Sequence, residues 1–96
     1  MIGVFVTFAY PDGIDRGRVQ KIADEAGPNF KGVPGLRSKA FTLDEANRRA
    51  TNFYVWDDED AARGFFNDAL KERVTGLYGV APQIDFVDVV GLVENT

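Results

Sequence analysis

The chain contains no cysteine and no histidine. The first absence removes disulfides, thiolate nucleophiles and zinc–sulfur sites together. The second removes imidazole bases, Ser-His-Asp triads and histidine metal ligands. Ser38 is the only serine, and no imidazole exists to activate it. Gly27 and Gly32 have the spacing that opens a phosphate-binding loop, but Val33-Pro34 follows where Lys-Ser/Thr is required. No basic run exceeds Arg48-Arg49, and the formal net charge is −4, which argues against nucleic acid or a membrane surface as partner. The N-terminal MIGVFVTFAY lacks a basic leader and a small-residue cleavage site, and it is too short to span a bilayer. A buried strand is expected there, and the cytoplasm is the expected location. Chemistry is left to carboxylates, lysine, arginine, tyrosine or the substrate's own reactivity.

What is present describes one domain over residues 1–96, with an apolar fraction of 45% that suits a globular chain with a modest core. No repeat, low-complexity run or linker interrupts it. Residues 2–9 form a β-branched and aromatic run, closed by the turn signal Pro11-Asp12-Gly13. Asp15 can cap a helix whose stripe is Val19, Ile22, Ala23 and Ala26, with Gly27-Pro28 as a left-handed stop. Asn29 to Val33 reads as an irregular connector. A second strand covers Leu36 to Leu43, and a tight link at Asp44–Asn47 makes a hairpin with a third strand from Arg49 to Trp56. Asp57 is the expected N-cap of a second helix running to Val74, with Asp60 at its third position. After a glycine-rich return, Gln83 to Val93 reads as the last strand.

The order is βαββαβ, and two helices on one face of a four-stranded antiparallel sheet give a ferredoxin-like α+β domain. Both outer runs are apolar on two sides. Ile84, Phe86, Val90 and Leu92 oppose Val87, Val89 and Val93, while Phe5 and Ala9 oppose the other large residues of the first strand. A sheet covered on one side keeps its open face polar, so a second copy of the chain is expected to cover this one.

The most informative segment is 47–66, where Phe53 and Val55 alternate with Asn52, Tyr54 and Trp56 before the acid-capped helix. Together with Phe8-Ala9-Tyr10, Pro34-Gly35-Leu36 and Ala62, the run Asn47 to Glu59 resembles the dimeric α+β barrel proteins. It is most similar to the small YdhR-like group of candidate mono-oxygenases, related to the antibiotic-biosynthesis monooxygenases. The resemblance implies a homodimer with a pocket in each subunit, binding a small aromatic ligand. It also implies oxygenation of a phenolic or quinone-like substrate without metal, flavin or haem, so no cofactor is expected. The haem-degrading branch depends on a histidine that this chain lacks. Where relatives carry Gly-Gly before the aromatic segment, this chain has Thr51-Asn52, which alters the pocket floor.

Asn52, Tyr54 and Trp56 share one strand face, so the rings can stack on a planar substrate while Asn52 donates a hydrogen bond. The same two rings can instead fill the core. Arg37 and Phe41 of the second strand complete the candidate substrate-binding set. Either Arg37 or Lys39 can stabilise a phenolate, but both are expected to be solvated at a strand edge. Asp57, Asp58, Glu59 and Asp60 read as a cap rather than a metal site. Asp85 and Asp88 are expected at an edge or strand end, and Tyr10 and Tyr78 beside turns. No single residue is assigned as catalytic. The leading expectation is a cofactor-independent mono-oxygenase. A non-catalytic small-molecule-binding or interaction module on the same fold is the alternative, and an isomerase or decarboxylase with a carboxylate base a third.

Overall fold

A computed structural model describes residues 1–10 and 15–95; the expected turn at Pro11-Asp12-Gly13 lies outside the described residues. The elements are β1 (Ile2–Ala9), α1 (Arg16–Ala26), a 3-10 turn (Gly27–Phe30), β2 (Leu36–Asp44), β3 (Arg49–Trp56), α2 (Glu59–Phe65), α3 (Asp68–Tyr78) and β4 (Gln83–Asp88). The four strands make one antiparallel sheet in the order β2-β3-β1-β4, so the order βαββαβ holds with its second helical segment broken in two.

The middle of the sheet follows from hydrophobic alternation. Val4, Val6 and Phe8 of β1 pair in register with Tyr54, Asn52 and Ala50 of β3, and all six are buried under the helices. Helix α1 adds Val19 and Ile22, capped by Asp15, whose carboxylate accepts the Arg18 N–H at 2.9 Å. Gly27 does not make the left-handed stop. It stays right-handed at φ −47°, and Pro28 opens the 3-10 turn that brings Phe30 against the sheet. Proline suits the first turn of a helix because it lacks only an N–H that would be unpaired there.

Gly35 is left-handed at φ 82°, and a Cβ there would meet the Ala61 Cβ at 2.8 Å. Only glycine lets the entry to β2 pass so close to α2. Its carbonyl accepts the Asp57 N–H at 2.8 Å, which ties the start of β2 to the end of β3.

Four expectations at the C-terminal half are corrected. The cap of α2 is Asp58, whose carboxylate accepts the Asp60 N–H at 2.9 Å, while Asp57 turns to Arg37. The second helix is broken at Phe66, with ψ of 58°, and Asn67 caps α3 by accepting the Leu70 N–H. The break lets Phe65 and Phe66 both pack inward, with ring centroids 5.1 Å apart. Helix α3 then continues past Val74 to a left-handed Gly79, and Gly76 is helical. Finally, β4 ends at Asp88. Among the described residues its partner strand is β1, which runs out at Ile2, and the Val89 N–H donates one further bond to the Met1 carbonyl. Val90 and Leu92 therefore do not join the core, and Val90 is 100% exposed.

Candidate functional site

The aromatic row of β3 faces the helices. Asn52, Tyr54 and Trp56 are 6%, 4% and 0% exposed. The Tyr54 and Trp56 rings stack with centroids 6.3 Å apart, and Phe66 meets Tyr54 edge-on at 4.9 Å. Phe65 lies 5.2 Å from Trp56. Among the described residues the buried indole N–H of Trp56 finds no hydrogen-bond partner, a loss worth about 1–3 kcal/mol.

The phenol of Tyr54 leads to the site. Lys39 Nζ donates to Tyr54 Oη at 2.7 Å. The same nitrogen lies 3.3 Å from the centroid of Phe30, 4.2 Å from that of Phe41 and 4.4 Å from that of Tyr54. Lys39 is thus half-buried among three rings, not solvated at an edge. A β-bulge between Leu36 and Ser38 explains this. The extra residue sets Leu36 and Lys39, three apart, opposite Trp56 and Tyr54 on the helix side. Arg37 falls on the bulge itself and swings outward, where Nε meets the Asp57 carboxylate at 2.8 Å.

Burial pushes the Lys39 ammonium down to about 7, because a charge leaving water favours its neutral form. The ring faces of Phe30 and Phe41 act the other way by attracting the cation. The result is an amine placed to gain or lose a proton near neutral pH, which is what acid–base work requires.

Above this amine opens a cleft of about 620 Å³ between the β2 edge and the end of α1, walled by Phe30, Leu36 and Phe41 and rimmed by Lys31 and Arg37. Small-molecule sites span roughly 300–1,000 Å³ and combine apolar walls with few polar groups. Three of its lining side chains are basic and one, Asp24, is acidic, although the whole chain carries −4. Of the five expected binding residues, the structure puts Arg37 and Phe41 on the cleft. Asn52, Tyr54 and Trp56 lie beneath it, and only the Tyr54 hydroxyl reaches the cleft-lining Lys39. Lys39 was outside the expected set. Its signal was parity with Phe41 and a hairpin register that places it opposite Tyr54.

The remaining polar candidates sit elsewhere. Asp85 and Asp88 are exposed on the edge strand β4. Tyr10 is buried beside Arg48, and the side chain of Tyr78 lies outside the described set. Among the described residues no group of three or more acidic side chains converges as a metal site, and no helix is long and apolar enough to cross a membrane.

This sheet order, with the helices on one face, is the ferredoxin-like fold. No family model and no curated protein matches the chain. Solved structures do. A monooxygenase of Streptomyces coelicolor, in complex with the ligand nanaomycin D, is similar at TM-score 0.72 and 21% identity, covering 99% of this chain and 92% of that one. A candidate antibiotic biosynthesis monooxygenase of Bordetella bronchiseptica is similar at TM-score 0.71 and 21% identity, over 93% and 96% of the two chains. A variant of SnoaB, a cofactor-independent oxygenase of Streptomyces nogalater, reaches TM-score 0.69 at 12% identity, over 98% and 97%.

Proposed function

We propose that the chain is a cofactor-independent mono-oxygenase of a small aromatic, phenolic or quinone-like substrate, working as a cytoplasmic homodimer. The observation that carries this reading is the Lys39 amine. It sits at an aromatic-walled cleft, 2.7 Å from a phenol and near its protonation midpoint. Structural neighbours that include a cofactor-independent oxygenase support it.

The chemistry needs little from the protein. A phenol laid in the cleft against Phe30 and Phe41 gives its proton to Lys39. The phenolate passes an electron to dioxygen, and the resulting radical pair joins at the ring carbon para to the oxygen. The hydroperoxide then loses water and leaves a quinone. One oxygen atom stays in the product, and the other departs with the phenolic and ring hydrogens. Lys39, now cationic in a partly dry site, stabilises the developing anions. Arg37 and Phe41 position the substrate, and Asn52, Tyr54 and Trp56 hold the amine's support in place.

The homodimer reading rests on the other side of the sheet. There the Phe5 and Phe53 rings pack at a tilt, with centroids 4.7 Å apart, and Val87 stays exposed. A second copy would cover these residues.

Oxygen uptake by metal-stripped protein with a panel of hydroquinones and naphthols tests the activity. Substrate-dependent uptake is expected, falling about a hundredfold in Lys39→Met, the scale of lost acid–base catalysis. No uptake from any member contradicts the reading, and thermal upshifts without turnover favour the binding module instead. Light scattering at micromolar concentration should give a dimer mass; a monomer contradicts that part.

A further inference from the structure

We infer that Lys39 is also a nucleophile, whose amine condenses reversibly with an aromatic aldehyde or ketone seated in the cleft to form an imine, with the Tyr54 hydroxyl relaying the proton. The inference uses the same cleft as the oxygenase reading, but needs neither dioxygen nor a phenol.

Three observations carry it. The chain has four lysines; Lys21, Lys31 and Lys71 are exposed, and Lys39 alone is half-buried. An exposed ammonium is strongly hydrated, whereas a lysine taken out of water gives up its proton and becomes a nucleophile. The same burial brings the Lys39 ammonium down to about 7. Next, the cleft gives an aryl carbonyl somewhere to lie, since its space of about 620 Å³ is lined by Phe30, Leu36 and Phe41 as well as by Lys39, whose nitrogen sits against two of those rings. Last, an acid stands beside the nucleophile: Tyr54 Oη lies 2.7 Å from Nζ.

The step balances without an oxidant or reductant. The nitrogen lone pair attacks the carbonyl carbon and gives a carbinolamine. A proton moves from nitrogen to oxygen through the Tyr54 hydroxyl, the C–O bond breaks, and C=N replaces C=O as one water leaves.

Reductive trapping tests this. The full chain is incubated with benzaldehyde and cyanoborohydride at pH 7, and the adducts are mapped by peptide mass. The α-amino group is read separately, so the comparison is among the four lysines. Trapping at Lys39 is expected at least about tenfold above each other lysine, the selectivity of a desolvated amine. Labelling spread evenly over the lysines, or absent from Lys39, overturns the inference. Lys39→Arg should lose the adduct while keeping the far-ultraviolet circular dichroism of the parent; Lys39→Met serves where the arginine variant does not fold. Tyr54→Phe should slow trapping at Lys39 about tenfold, with α-amine labelling unchanged; an unchanged rate at Lys39 overturns the relay. Oxygen uptake is scored on the same preparation. Trapping without uptake upholds this inference and not the oxygenase reading, and uptake without trapping does the reverse.

Discussion

On the helix side of the sheet, Asn52, Tyr54 and Trp56 are buried beneath the helices, although each carries a polar atom. On the opposite side, Phe5 and Val87, which have no polar atom, are 38% and 39% exposed. Side-chain polarity alone would assign these faces the other way round. The difference shows that helix placement, not the hydropathy of a row, decides which face is sealed. The helix side is closed by Phe65 and Phe66, which the break between α2 and α3 turns inward. The open side holds the Phe5–Phe53 pair, a buried Val55 and the start of the segment after β4. One corner of the sealed side stays open, at the edge strand β2, and there the cleft forms over Lys39.

Removing a ring from each face gives the widest contrast. Trp56→Ala should cost about 3–5 kcal/mol in urea unfolding, the range for deleting a buried aromatic. Trp56→Phe should cost much less, because it also removes the unpartnered N–H. Phe5→Ala should cost below about 1 kcal/mol when measured on dilute monomer, as for a surface position. Equal losses at Trp56 and Phe5 would break the comparison.

Two neighbouring acids sharpen it on a smaller scale. Asp58→Ala should cost about 1 kcal/mol, the usual value of an N-cap. Asp57→Ala removes only an exposed ion pair to Arg37, worth about 0.2–1 kcal/mol. Thermal melts of the two variants check the order, and a larger loss at Asp57 would restore it as the cap.

Much of the sheet was legible before the fold was known. Strands β1 and β3 keep their expected bounds because clear two-residue alternation and turn chemistry mark both ends. The last strand was read too long, since Val89 to Val93 continue its apolar pattern. Pattern does not reveal that the partner strand stops at Ile2. Asp57 and Asp58 are chemically equivalent caps, and the Gly35 carbonyl bond to the Asp57 N–H breaks the tie. The cleft was less legible than the sheet. The aromatic row is conspicuous in the sequence, while the Lys39 amine lies across the hairpin, hidden by a bulge and by Phe30 from a turn read as irregular.

Lys39 also gives the comparison a pH axis. Its folded midpoint is about 7, against an ordinary value of 10.5. Between those values the unfolded chain binds more protons than the folded one. Its contribution to stability therefore rises with pH across that window and is absent below it. The wild type should gain stability relative to Lys39→Met between pH 7 and 10.

The most direct test of the account is the titration of Lys39 itself, followed by NMR on chain labelled at the lysine side-chain ε carbon. One lysine signal should titrate near pH 7 and disappear in Lys39→Met. A Lys39 signal whose midpoint stays at about 10.4, the value of a free lysine side chain, would contradict a buried working amine at this cleft.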